Sequence, residues 1–134
     1  MEKIYSRINK NKLLHTISKK INLNKNRSDM TCPNVPLQVS RINLACSKIK
    51  AHSHKTKTFS KKKIEQNECW IVLKGTINVS LFDIDKTNIK NVTLRKGSIL
   101  ITRFGGHSIN KSSIDSELIE IKLGPYIGND LNYY

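Results

Sequence analysis

Residues 68–82, ECWIVLKGTINVSLF, decide the fold of this chain. Cys69–Leu73 is an apolar run of strand length, and Lys74-Gly75 stops it. Over the next seven residues, Thr76–Phe82, apolar side chains recur at every second position, which is the period of a strand with one buried face. The stretch therefore predicts two short strands joined by a glycine turn.

The same alternation of short strands and turns continues along most of the chain. Asp83–Asn88 is rich in residues that bond their own backbone in turns, and Arg95-Lys96-Gly97 predicts another turn. We predict further strands at Leu37–Leu44, Ile49–Lys55, Ile89–Leu94, Ser98–Thr102 and Glu117–Leu123. Short strands interrupted by turns at this density are typical of an all-β sandwich or barrel.

The first 36 residues have a different pattern. They are polar and basic, and apolar residues spaced by three and four predict a short helix near residues 11–21, followed by a loop at Ser28–Pro36. A chain of 134 residues is long enough to bury one core. We therefore expect a single domain, with an N-terminal extension and loop at 1–36, a barrel at 37–123 and a C-terminal tail at 124–134.

Charge is concentrated in the first half of the chain. Residues 1–63 contain 16 Lys and Arg against 2 Asp and Glu, whereas residues 64–134 contain 8 of each kind. The net charge of +14 favours acidic partners such as phosphorylated metabolites, nucleic acid or an anionic membrane surface. An equal alternative is a biased composition, rich in Lys, Asn and Ile, that leaves the lysines as solvated surface. Only Tyr5 and Phe59 accompany these lysines, so nucleic-acid binding ranks last.

Two features bear on the cellular compartment. No apolar run approaches the length of a membrane span, and no apolar stretch with a cleavage site follows the first residues, so we expect a cytoplasmic protein without a membrane partner. Cys32, Cys46 and Cys69 form no CxxC pair, which disfavours a disulfide framework or a structural zinc site. They are interpreted as reduced thiols, with Cys69 in a core strand.

Four side chains form a candidate metal site. His52 and His54 stand two apart in a predicted strand, so both imidazoles project from one face. Glu68 directly precedes a strand, and His107 follows a glycine pair. Three neutral imidazoles and a carboxylate suit a divalent iron, manganese, zinc, nickel or cobalt ion with positions left for water or substrate. Glu65 is a competing carboxylate, and a histidine pair on a basic strand is more often polar surface than a ligand.

The spacing downstream of the histidine pair resembles the two signature motifs of the cupin superfamily. Glu68 is followed by six residues and then Gly75, and Gly97 lies ten residues before His107. Over residues 37–123 these are the places where cupins have their carboxylate, glycines and third histidine. The resemblance implies a double-stranded β-helix, also called a jelly-roll barrel, with a bound metal, and cupins commonly form homodimers.

The chain departs from the general cupin pattern in two places. Thirteen residues separate His54 from Glu68, where cupins usually have three or four, and Arg103 replaces a proline. A narrower resemblance, to small bacterial cupins of surface-polysaccharide gene clusters, includes a long basic insertion at the same place. It covers about residues 30–130 and rests on Leu37–Ser40, Glu68–Gly75, Phe82–Asp85, Phe104–His107 and Gly124–Gly128. That group implies no known reaction.

Several side chains are candidates for substrate binding, each with a plainer alternative. Trp70 could stack on a sugar or be a core aromatic, and Tyr126 could lie at the barrel mouth or only help turn the chain. The cationic candidates for holding a phosphate or carboxylate are Lys55, Lys57 and Arg103, and the run Lys61–Lys63 is either a lid or a solvated loop.

The leading hypothesis is a metal-binding cupin that binds or acts on a small anionic or sugar-like metabolite. Isomerisation or epimerisation of a nucleotide-linked sugar would suit polysaccharide biosynthesis, and ferrous iron on the same ligands would suit oxygen-dependent chemistry. The alternative is a non-catalytic binding or sensing protein with a structural metal, because no residue outside the ligand set stands out as a general acid or base.

Overall fold

The computed structural model describes residues 2–5, 7–8, 10–11, 13–17, 26–29, 37–59, 61–123 and 130–134. Within these ranges the chain forms fourteen strands and no helix, so no helix that could span a membrane occurs there. The strands are β1 (Glu2–Tyr5), β2 (Leu13–Ile17), β3 (Arg27–Asp29), β4 (Leu37–Asn43), β5 (Ile49–His54), β6 (Lys57–Phe59), β7 (Lys62–Ile64), β8 (Glu68–Lys74), β9 (Thr76–Phe82), β10 (Asn88–Arg95), β11 (Ile99–Thr102), β12 (Gly106–Ser112), β13 (Glu117–Leu123) and β14 (Leu131–Tyr133).

Ten of these strands form two five-stranded antiparallel sheets. We call β10-β9-β12-β5-β14 the histidine sheet and β11-β8-β13-β4-β3 the glutamate sheet, after residues described below. The hairpins β1-β2 and β6-β7 are separate two-stranded sheets. The edge strands β3 and β14 lie outside residues 37–123, so the two sheets extend beyond the expected limits of the barrel. The arrangement is the all-β jelly roll predicted from the sequence.

The hydrophobic core lies between the two sheets. It contains Leu44, Trp70, Val72, Ile77, Val79, Ile109 and Leu118, each at most 2% exposed. Because β8 and β9 follow each other in the chain but belong to opposite sheets, the turn at Gly75 connects the two walls of the core. Removal of this apolar surface from water is the main force that holds the sheets together.

The inner face of the glutamate sheet changes from apolar to polar along the barrel. The register of β13 against β8 pairs inward-facing residues in three rows: Leu118 with Val72, Glu120 with Trp70, and Lys122 with Glu68. Cross-strand partners project to the same face of a sheet, so each of these pairs lies side by side on the inner face. The barrel therefore has a packed apolar end and a polar end.

The predicted strands are confirmed within a residue or two at each end, but two other expectations need correction. The predicted helix near residues 11–21 is wrong where the chain is described, because residues 13–17 form β2 and pair with β1. An isolated helix of three turns is only marginally stable unless one face packs against another element, whereas pairing with β1 provides hydrogen-bond partners for the backbone of β2. Ser28 and Asp29, predicted as loop, belong to β3, while residues 30–36 lie outside the described residues.

The cysteines are thiols where they are described. Cys46 is exposed and Cys69 is half-buried, and both are free. The alternation along β8 places Cys69 on the outer face of the sheet, so it is a strand residue without being part of the core. Cys32 lies outside the described residues.

Candidate metal centre

Three histidines meet on the inner face of the histidine sheet. His52 and His54 lie two residues apart on β5, and His107 on the neighbouring β12 is the cross-strand partner of His52. The register between β5 and β12 shifts between His107 and Ile109, a bulge of the kind that re-aims side chains near functional sites. The three candidate ligand nitrogens lie within 4.8 Å of one another.

Glu68 reaches these histidines from the opposite sheet. It is the first residue of β8, and its carboxylate Oε2 lies 3.1 Å from His54 Nε2 and 3.0 Å from His107 Nε2. The contact with His54 is a hydrogen bond, whereas the His107 nitrogen is close but poorly aligned for one. Glu65 is exposed, so Glu68 is the carboxylate that the fold brings to the histidines.

The spacing of these atoms suits a shared cation. Ligands about 2.1 Å from one ion at right angles are separated by about 3.0 Å, close to the distances observed between Glu68 and the two imidazoles. The site is buried: the side chains of His54 and Glu68 are each 3% exposed, and His107 is completely buried. Buried imidazoles and a buried carboxylate are the donors that divalent transition metals prefer.

The environment keeps His52 neutral and Glu68 charged. Burial lowers the pKa of His52 to about 4, assisted by His107 and His54 and opposed by the hydrogen bond to Lys50. His52 Nδ1 lies 2.8 Å from the Lys50 carbonyl, which can only accept, so Nδ1 carries the proton and Nε2 keeps a lone pair. Burial raises the pKa of Glu68, but contacts with His107 and His54 outweigh it and hold the pKa well below its usual value. Neutral imidazole and ionised carboxylate are the metal-binding forms.

A cleft of about 650 Å³ gives access to His52. Its lining is Lys48, Ile49, Lys50, His52, Leu131, Tyr133 and Tyr134. Tyr133 is the cross-strand partner of His52 on β14, and the two ring centres are 6.0 Å apart. The cleft therefore places a lysine-lined, aromatic surface beside one of the candidate metal ligands.

The other candidates from the sequence occupy varied positions. Trp70 is a core aromatic, 2% exposed, and its ring meets that of His107 edge-on at 4.6 Å between centres. Lys57 is 6% exposed, and its ammonium contacts Asp130 Oδ2 at 3.1 Å and the Leu123 carbonyl at 3.0 Å. Lys57 is thus already engaged within the protein.

The remaining cationic candidates are nearer the surface. Lys55 is half-buried, and Arg103 is exposed with its guanidinium 5.5 Å from the ring centre of Phe104. Lys61 and Lys63 are exposed at the β6-β7 hairpin. Tyr126 lies outside the described residues.

Sequence reasoning missed several polar residues of the interior. Glu120 and Lys122 are 6% and 9% exposed on the inner face of β13, and Gln66 is 3% exposed two residues before Glu68. The sequence of β13, ELIEIKL, has isoleucines at positions 119 and 121, which suggest the opposite orientation. Only the cross-strand register shows which face of β13 is inside.

Comparison with known proteins shows what this architecture is similar to. No protein-family model and no curated protein sequence matches the chain. Among solved structures, a variant of Streptomyces PAC13 with uridine has a TM-score of 0.60 at 10% identity, covering 90% of this chain and 89% of that one. A cupin protein from Bacteroides fragilis gives 0.55 at 17% identity, with 90% and 93% covered.

A third similar structure is KdgF from a Halomonas species. Its TM-score is 0.51 at 13% identity, and the match covers 76% of this chain and 83% of that one. Structural similarity at such low sequence identity shows the fold alone. The chemistry must be inferred from the residues of the site. With its two antiparallel sheets, the chain has the jelly-roll fold of solved cupin structures such as the Bacteroides fragilis protein.

Proposed function

We propose that His52, His54, Glu68 and His107 hold a divalent metal ion and that the protein binds or transforms a small anionic or sugar-like metabolite beside it. The observation that carries this proposal is the convergence of three imidazoles from one sheet and a carboxylate from the other in the buried interior. The donor set suits iron, manganese, zinc, nickel or cobalt. When bound, such an ion would act as a Lewis acid on a carbonyl or hydroxyl of the metabolite.

The residues around the centre support a small polar ligand. The cleft beside His52 brings Lys48 and Lys50 within reach of an anionic group, and Tyr133 offers an aromatic face for a sugar or base. Glu68 and the histidines would hold the ion, and the apolar row of Val72 and Leu118 fills the other end of the barrel. We further propose isomerisation or epimerisation of a nucleotide-linked sugar in surface-polysaccharide biosynthesis, on the strength of the motifs shared with cupins of such gene clusters.

The experiment that tests the metal centre is elemental analysis of the purified protein. We expect about one equivalent of a divalent transition metal in the wild type and strong loss in His107→Ala, because each ligand contributes directly to affinity. His15→Ala is the matched control, since His15 lies on β2, which pairs with β1 and with neither large sheet. Equal metal content in the wild type and His107→Ala would contradict the proposal.

A second candidate function is non-catalytic: the ion braces the fold and the protein carries or senses a ligand. Its support is that the sequence singles out no residue beyond the four candidate ligands as a general acid or base. Melting curves with and without a chelator, run with an assay on nucleotide-sugar pools, separate the two. A large loss of melting temperature without turnover favours the structural role, and small loss with metal-dependent turnover favours an enzyme.

We also propose a homodimer, which is supported by the outer face of the glutamate sheet. Isoleucines at positions 71, 99, 101, 119 and 121 share that face, and Ile99 and Ile101 are 61% and 63% exposed. Exposed apolar surface of this kind marks interfaces. We expect Ile101→Lys to convert the dimer into a monomer, whereas Ile84→Lys, in the exposed β9-β10 turn, should leave the dimer intact, as measured by analytical ultracentrifugation.

We also propose that the protein is cytoplasmic, in keeping with the free thiols of Cys46 and Cys69.

A further inference from the structure

A charged cluster lies in the barrel interior next to the candidate metal centre. Lys122 Nζ is 3.2 Å from Glu120 Oε1, and both side chains are at most 9% exposed. Arg27 on β3 contacts the same carboxylate and lies 3.0 Å from Ser40 Oγ. Lys122 is the cross-strand partner of Glu68, so the cluster continues directly from the carboxylate of the metal centre.

Stability alone does not account for this cluster. Buried ion pairs can often be replaced by apolar residues of similar size without loss of stability, because desolvation offsets their attraction. The chain has isoleucines at positions 119 and 121, yet these occupy the outer face of β13 while Glu120 and Lys122 face the interior. Charge held inside the barrel beside the proposed metal centre is therefore a candidate for contact with a ligand.

Several buried polar atoms in this region, imidazole nitrogens of His54 and His107 among them, have no hydrogen-bond partner among the described residues, and two further groups stand out. They are the indole Nε1 of Trp70, in the same row as Glu120, and the amide of Gln66, two residues before Glu68. Trp70 is 2% exposed and Gln66 is 3% exposed. An indole N–H can only donate, and a buried donor left unmet costs about 1–3 kcal/mol. An acceptor atom of a ligand inside the barrel would satisfy the indole.

We propose that Lys122 and the Trp70 N–H form the subsite for an oxyanion, a carboxylate or phosphate group of the ligand, beside the metal. The proposal rests on the metal centre proposed above. Among the buried charges here, Lys122 offsets Glu120, and Glu68 offsets one of the two positive charges of a divalent ion, so one positive charge remains to be balanced by the ligand. Arg27, whose side chain is 41% exposed, lies at the edge of this interior. Lys122 lies on the wall beside Glu68. Its ammonium has three donors, so it can keep its contact with Glu120 and also hold the far end of an anion that contacts the metal.

The test is calorimetric titration of the zinc-loaded full chain with malonate and, separately, with inorganic phosphate, at low salt. Lys122→Met removes the charge and keeps the length, Lys122→Arg restores the charge, and Trp70→Phe removes only the N–H from the aromatic wall. Lys111→Met is the matched control, because Lys111 is an exposed lysine of β12. Metal content is measured on every sample, which separates loss of the subsite from loss of the metal.

A hydrogen bond to a charged group is worth about 1.5–3 kcal/mol, which is a factor of about 10–100 in affinity. We therefore expect at least about tenfold weaker binding of the preferred anion by Lys122→Met, with unchanged metal content and near wild-type affinity in Lys122→Arg and Lys111→Met. Trp70→Phe should weaken binding about threefold to tenfold.

The malonate and phosphate arms tell which oxyanion the subsite prefers. Wild-type affinity in Lys122→Met, or no binding of either anion by the wild type at millimolar concentration, overturns the subsite. A wild type that takes up no zinc refutes the metal centre instead. In that case the same titrations on metal-free protein decide the subsite by the same comparison.

Discussion

Gly75 forms the turn between β8 and β9, and its replacement by alanine tests how tightly that turn is packed. Gly75 has φ +71°, and a Cβ there would lie 2.5 Å from Ser113 Oγ, 2.6 Å from Ser116 Oγ and 2.7 Å from Ser116 Cα. The hydroxyl of Ser113 accepts a hydrogen bond from the Thr76 N–H, and that of Ser116 donates one to the Thr76 carbonyl, both at 2.9 Å. The added methyl group must therefore displace the β12-β13 turn.

The magnitude follows from two contributions. A positive φ costs a non-glycine residue about 1–2 kcal/mol, partly offset by about 0.4–1 kcal/mol from the lower entropy of the unfolded chain. Loss of the two serine hydrogen bonds adds about 2 kcal/mol. We expect Gly75→Ala to lower the free energy of unfolding by about 3 kcal/mol, which for a domain of this size is a fall in melting temperature of about 10–15 °C.

Gly97 is the matched control for this change. It has φ +84°, but nothing lies within 4 Å of its ideal Cβ, so only the backbone strain remains. Gly97→Ala should cost about 1 kcal/mol, or about 3–5 °C. Thermal and urea unfolding followed by circular dichroism, with chelator present, measure both variants. Losses of stability that agree within about 0.5 kcal/mol would refute the steric reasoning.

Three further predictions concern charged and titrating groups. Arg41 binds Glu117 through two contacts of 2.7 Å and lowers the pKa of that carboxyl, so the stability that the pair contributes is present above pH 4.5 and is lost as pH falls through the lowered pKa. Glu117→Gln should therefore lower the free energy of unfolding by about 1 kcal/mol at pH 7 and by little at pH 3. An equal cost at both pH values would contradict this. The pKa of His52 is lowered from 6.5 to about 4, so metal-free protein should lose stability as pH falls between these values, because the unfolded chain takes up the proton first. In urea unfolding, the free energy of unfolding of His52→Asn should depend less on pH over this range. A pH dependence equal to that of the wild type would refute the prediction. Lys57→Met should lower the free energy of unfolding by about 3 kcal/mol, because it leaves Asp130 buried without its cation. Adding Asp130→Asn should restore part of that free energy, measured by urea unfolding. No recovery in the double variant would mean that the two residues are not coupled.

The strands that could be predicted from sequence are those whose alternation is apolar. Thr76–Phe82 and Glu117–Leu123 have the predicted bounds. β12 was missed because its sequence, GHSINKS, is polar, although most of its residues are buried between neighbouring strands. The burial of polar residues cannot be read from the local sequence pattern, because buried serine and histidine form hydrogen bonds with residues distant in sequence. The same limit explains β2, whose spacing of leucines and isoleucine fits a helix until pairing with β1 is known.

Period-two alternation and glycine turns are local features, so the all-β fold class could be predicted from the sequence. The resemblance of its motifs to those of cupins pointed to His52, His54, Glu68 and His107, with Glu65 as a competing carboxylate. The three-dimensional structure distinguishes Glu68 from Glu65, since the first is buried against the histidines and the second is exposed. It also decided that Lys57 pairs with Asp130 and that Lys122 faces the interior. The physical reason is that the face of a strand is set by its register against neighbours far away in the chain, and a shift of one residue would exchange inside and outside.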